Sequence, residues 1–184
     1  MAEAREKYEL KVIEERDISA ETDAAIKALL CECFPRDAAA FSRSRHWHGT
    51  APAYSLAHWR EGRVVGHVGI VIREVRCGER AARVAGIQNL AVAPGCRGRG
   101  LSQQLMIEAM GEAARRRIPY GLLFCIPELE RFYAALGWRR TDVSVTMIEN
   151  GRHVPIPGKN IAMFKELAGT RFPAGDIDLQ GMDW

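Results

Sequence analysis

Long apolar runs are missing from this sequence. The longest apolar-looking stretches, 64–72 and 118–127, fall far short of the roughly 20 residues a membrane-crossing helix needs, so no such helix is expected. Residues 1–11 alternate charges and lack the apolar centre of a secretory signal, which makes the cytoplasm the expected location. An excess of one charge is missing too. Twenty-six Lys and Arg against 23 Asp and Glu leave a net charge of +3, too little to make a nucleic acid or an anionic membrane the expected partner. Cysteines are few and unpaired in spacing: the five, at 31, 33, 77, 96 and 125, show no zinc-ligand pattern, so reduced thiols and no metal are expected. Repeats, low-complexity tracts and linkers are absent. What remains is 184 residues with 47% hydrophobic and 27% charged side chains, the make-up of one globular domain over 1–184. A chain of 20.5 kDa buries roughly 70% of its extended-chain surface on folding, enough for a real core.

Periodicity then gives an order of elements. Residues 9–15 read as a first strand. Asp17 and Ser19 offer helix caps, and Ile26, Leu29, Leu30 and Cys33 recur at helical spacing until Pro35. Residues 36–53 have no clean period and read as loop and short helix. Strands at 54–59, 63–76 and 80–92, separated by turns at Glu61-Gly62 and at 77–79, make an antiparallel meander. Leu101, Leu105, Ala109 and Ala113 mark a helix that ends near Arg115, Arg116 and Arg117, before Pro119. A strand at 120–126 follows, then a helix opened by Pro127 and closed by Gly137. Val143, Val145 and Met147 alternate along a further strand, Pro155 and Pro157 punctuate a loop, and 161–167 is the last strand. The tail, 168–184, reads as mostly irregular. The expected class is mixed α/β, a mostly antiparallel central sheet flanked by helices.

The informative segment is 87–102, a strand delivering the glycine-containing basic loop Arg97-Gly98-Arg99-Gly100 to a helix start at Leu101 and Ser102. Unpaired N–H groups and the dipole at a helix N-terminus favour an anion, and glycine lets it approach closely. Such a loop is built to hold phosphate. It is not a Walker loop, which ends in Gly-Lys-Ser/Thr, nor a dinucleotide fingerprint, which belongs to an early βαβ unit.

Arg97, Gly100 and Ser102 occupy the three places of the pyrophosphate loop of the GNAT N-acetyltransferase superfamily, which this sequence resembles; Ser102 stands where that family usually has Gly or Ala. Leu90-Ala91-Val92 resembles the family strand whose backbone pairs with the pantetheine arm, and 131–138 resembles its second signature. The resemblance spans roughly 54–138. It implies acetyl-CoA as co-substrate, with Leu90, Ala91, Val92, Arg97, Gly98, Arg99, Gly100, Leu101 and Ser102 around it. It also implies a phenol, Tyr133, near the coenzyme sulfur, placed to act as general acid. Residues 44–52, 66–70 and 172–175 look like nodulation N-acyltransferases, and the ending Gly181-Met182-Asp183-Trp184 looks like aminoglycoside 2′-N-acetyltransferases.

A proton acceptor is harder to place. Gln88 stands where many relatives carry glutamate, and an amide accepts no proton in the relevant range, so its expected part is to orient water or acceptor. His67, within a β-rich run, reads mainly as a core histidine. His46 and Trp47, with His48, are candidates for the acceptor pocket, as are Asp183 and Trp184. The expected function is transfer of an acetyl group from acetyl-CoA to a primary amine of a small polar, amino-sugar-like acceptor. A longer acyl-CoA, a carrier-protein donor and a non-catalytic acyl-CoA sensor stay open, as does a homodimer.

Overall fold

The structure, a computed structural model, describes residues 8–184. Ser19 opens the first helix as its position suggests: its hydroxyl accepts the Thr22 N–H at 3.1 Å, and Glu21 and Asp23 add negative charge to the first turn. This helix, α1 (Ala20–Cys33), buries Ile26, Leu29 and Leu30 and stops one residue before Pro35. It follows β1 (Glu9–Glu14) and precedes α2 (Ala38–Phe41) and a 3₁₀ turn at Trp47–Gly49.

The meander is present as β2 (Tyr54–Arg60), β3 (Arg63–Cys77) and β4 (Arg80–Val92). Helix α3 (Leu101–Arg115) then crosses to β5 (Tyr120–Cys125), which lies parallel to β4 and so requires such a crossover. A 3₁₀ turn at Pro127–Leu129 leads into α4 (Glu130–Ala134), followed by β6 (Arg139–Thr141), β7 (Val145–Glu149), β8 (Arg152–Pro155), β9 (Ile161–Glu166) and β10 (Ile177–Asp178).

Ten strands join in one sheet, running β6-β9-β5-β4-β3. The far edge of β3 is divided. β2, with β1 beyond it, pairs along residues 63–70, and β10, with β7 and β8 beyond, pairs at Arg76 and Cys77. Helix α3 lays Leu105, Met106, Ala109, Met110 and Ala113 against Tyr54, Leu56, Val68 and Ile70, while α1 packs with Ala57, Val64, Val65 and Ala91. Three short strands differ from the sequence reading. β6 and β10 have three and two residues, too few to show a period, and their pairing is set by distant partners. β8 ends in Pro155, which is tolerated because β8 is an edge strand. The tail is therefore not irregular throughout: β10 sits between β3 and β7, and Trp184 is buried.

Two features shape the centre of the sheet. β4 and β5 pair only from Val84 to Gly86 against Tyr120 to Leu122, and the strands separate beyond that point. Trp184 lies against Gly86, where an added Cβ would stand 2.2 Å from its Cε2 atom. Beyond the split, one β3 residue, Val68, faces two on β4, Asn89 and Leu90, because Asn89 takes a left-handed φ of 52°. This is a β-bulge, which sharpens local twist. The fully buried His67 ring accompanies it, its Nδ1 donating to the Asn89 carbonyl at 3.2 Å. Burial holds its pKa down to about 4, so the ring is neutral near pH 7.

Gly86→Ala is expected to expel the indole and destabilise the fold by about 1–3 kcal/mol, the usual penalty for overpacking, read as a lower midpoint in urea. His67 makes a pH prediction. Its folded pKa lies below the unfolded value near 6.5, so the unfolded state binds the extra proton as pH falls. Its contribution is complete above pH 6.5 and lost toward pH 4. Replacing it by Gln, which keeps a donor but does not titrate, should flatten the stability loss in that window; an unchanged slope would exclude His67 as its source.

Candidate active site

Where β4 leaves β5, its edge has no strand beside it, and a cavity of about 390 Å³ lies along Leu90, Ala91 and Val92 and the loop that follows. The loop is shaped by glycine. Gly98 and Gly100 have φ of 74° and 78°, a region other residues occupy only under strain, and the space where each Cβ would point is open. Gly100 is the N-cap of α3 and offers no side-chain acceptor; the first turn carries no acid, and the first intrahelical bond is made by the Gln104 N–H at 3.0 Å. The preceding N–H groups thus face outward with the positive end of a 15-residue helix behind them. Leu101 is buried and seats this helix start in the core, whereas the Ser102 hydroxyl turns to the Gln103 side chain. Arg97 donates to the Val92 carbonyl at 3.1 Å, bracing the loop on the strand end. Cys33, at the same wall, is held above the usual thiol range by burial, with Arg97 opposing the shift.

Tyr133, on α4, is buried and packs edge-on against Phe132 and Trp138. Burial, reinforced by the nearby Cys125, pushes its phenol above the ordinary tyrosine value. With Phe34, Leu90 and Leu129, Tyr133 lines both the first cavity and a second of about 390 Å³, which has residues of both β4 and β5 in its walls. This second cavity brings together Trp47, Asp183 and Trp184, three of the residues singled out from sequence.

A polar network holds that wall. The Asp183 carboxylate is buried and bonded to His48 Nδ1; the Thr50 hydroxyl donates to the Asp183 carbonyl at 3.2 Å. Arg73 reaches from β3 to the carbonyls of Leu179 and Met182 and passes 5.1 Å from the Trp184 ring. Asn89 donates from its side chain to the Arg45 carbonyl at 2.9 Å, and the buried Arg45 guanidinium is paired with Asp23 and Glu15. Gln88 lies outside both cavities, donating to the Thr50 carbonyl at 3.1 Å, and His46 is turned to Glu15. Sequence reasoning passed over Arg73, Thr50 and Phe34. An arginine inside an apolar strand run was the one available signal. Among the described residues no cluster of His, Cys, Asp or Glu is placed to hold a metal ion, and no helix is long and apolar enough to cross a membrane.

Residues 14–141 match the acetyltransferase (GNAT) domain family. No curated protein matches the sequence. Among solved structures, the GNAT family N-acetyltransferase YhbS of Escherichia coli, in complex with CoA, is similar at TM-score 0.71 and 20% identity, over 98% of this chain and 93% of that one. A GNAT family acetyltransferase from Brucella melitensis, in complex with acetyl-CoA, is similar at TM-score 0.62 and 16% identity, over 94% and 96%. ElaA of Escherichia coli is similar at TM-score 0.64 and 16% identity, over 87% and 100%. At these identities the structural likeness carries the fold alone. The family match covers more than half of the sequence, and on that ground the chain belongs to the GNAT acetyltransferase family.

Proposed function

We propose that the chain, as one domain, transfers an acetyl group from acetyl-CoA to a primary amine by direct attack. The observation that carries this is the split between β4 and β5, which sets an unpaired strand edge and a phosphate-suited helix start on one side of Tyr133 and a second cavity on the other. The pyrophosphate belongs on the N–H groups after Gly100, with the charge of Arg97 and Arg99 near it. The pantetheine arm belongs along Leu90 to Val92, whose backbone completes a sheet-like pairing. The relatives crystallised with CoA and acetyl-CoA support this choice of donor.

At the junction the amine nitrogen attacks the thioester carbonyl, the carbon–sulfur bond breaks, and the sulfur leaves as a thiolate that Tyr133 hydrogen-bonds and protonates. The raised pKa keeps the phenol protonated across the neutral range. Cys125, lining the second cavity, is pushed up to about 11 by burial, and Cys33, lining the first, is also raised by burial, so both are un-ionised and poor nucleophiles near pH 7. This favours direct transfer over an acyl-enzyme. The amine attacks as the free base, and the proton its nitrogen loses restores the Tyr133 phenol, directly or through water, so that the net transfer runs from nitrogen to sulfur; Gln88, an amide committed to Thr50, takes no proton.

Gly100→Val should strain the left-handed cap and crowd the N–H groups, so acetyl-CoA affinity by calorimetry falls while the fold persists; unchanged affinity in the folded variant would refute the loop assignment. Tyr133→Phe should lower kcat by about 10²-fold with donor affinity nearly intact. In the wild type, thiol release should show no alkaline loss from this phenol up to about pH 10, the ordinary tyrosine value. Donor binding without thiol release on any amine would instead identify a sensor.

A further inference from the structure

Resting on that reading, we propose that the acceptor is a small primary ammonium with a flat or branched apolar body, not a hydroxyl-rich sugar. The second cavity is aromatic on two sides. Phe34, Phe41 and Trp47 form one row, with ring centroids 5.5 and 5.6 Å apart in sequence, and Phe124 and Trp184 form another at 5.4 Å. These rows come from segments far apart in the sequence and line the same space. Rings in such numbers bind by covering apolar surface and by stacking, which suits a ligand whose body is flat or branched and apolar.

The polar side chains of the cavity are fewer than its apolar ones, and Asn160, half-buried, is one of them. The Asn89 side-chain nitrogen is bonded to the Arg45 carbonyl, and Asp183 Oδ1 to His48. Asp37 and Lys159 are exposed and belong to the rim. Among the described lining residues Asp183 is the one buried carboxylate; His48 is bonded to its Oδ1, the Arg73 charge acts on it, and no hydrogen bond is made to its Oδ2. A sugar would bring hydroxyls around its whole rim against walls that are largely ring faces, with Asn160, the Asn89 side-chain oxygen and Asp183 as the side-chain partners, and a buried polar group without a partner is strongly disfavoured. One ammonium on an apolar body matches what is available: a single buried acid within aromatic walls, opening beside Tyr133. A volume of about 390 Å³ also limits the ligand to a small molecule and is tight for a multi-ring aminoglycoside.

The test uses the full chain and three probes: 2-phenylethylamine, glucosamine and kanamycin. Calorimetry without donor should show 2-phenylethylamine binding at least about 10-fold more tightly than either sugar, and thiol release from acetyl-CoA should rank kcat/KM the same way. Asp183→Asn and Trp47→Ala should each weaken 2-phenylethylamine about 10-fold or more, with acetyl-CoA affinity unchanged. Trp47→Phe, which keeps an aromatic wall, should recover most of the loss and so separates a binding role from misfolding. Tighter binding or faster acylation of either sugar overturns this inference while leaving acyl transfer standing. Binding of 2-phenylethylamine in the expected order with no thiol release from any amine supports the inference and overturns acyl transfer. Equal affinity of wild type and Trp47→Ala for 2-phenylethylamine overturns the aromatic wall.

Discussion

The separation of β4 from β5 is the constraint on which the rest of the structure depends. Two parallel strands that paired to their ends would seal the sheet, and neither cavity would exist. Pairing stops after Leu122, and at Gly86, the last paired residue of β4, the buried Trp184 indole packs over the sheet face in the space a Cβ would take. On the β4 side the bulge at Asn89 increases the twist and carries the strand away, with His67 as a neutral, buried partner for the displaced carbonyl. Both features lie within the same few residues, one packing over the last paired position and the other turning one arm of the fork.

The two sides of the fork differ in kind. The donor side is made largely of backbone: a strand edge, a left-handed glycine and the unpaired start of a helix, all between residues 90 and 103. Its recognition does not depend on the shape of particular side chains. The second cavity is made of side chains drawn from residues 34–47, 87–90, 123–133 and 159–184. A buried ionic cluster around Arg45 and the bonds of Arg73 to the tail hold these distant pieces at fixed positions. Arg116 does similar work at the foot of α3, paired with Glu14 and Glu112 and lying 4.0 Å from the Tyr54 ring.

This difference explains what could be read in the sequence. The donor loop was legible because its physics is local: glycines at required φ values, an uncompensated helix start, and a strand immediately before it. The meander was legible because β3 and β4 have 15 and 13 residues, long enough for patterning and turn signals to agree. β10 was not, since two residues carry no period and gain their place only by inserting between β3 and β7. His46 and His48 are two positions apart and looked alike, yet one reaches Glu15 and the other Asp183, a division set by the positive φ of His48. Asn89 offered a faint signal, being a poor strand former at the end of a strong strand.

Arg73 holds the tail by main-chain carbonyls, those of Leu179 and Met182, and not by any side chain of residues 179–182. Anchorage and wall chemistry are therefore separable properties of the same segment. Side chains at Gln180 and Met182 are free to drift without loosening the clasp, whereas changes at Asp183 or Trp184 alter the lining of the cavity directly. A fold arranged this way can diversify what it accepts by substituting a few residues at one end of the chain while the machinery that receives the donor, encoded some eighty residues earlier, stays untouched.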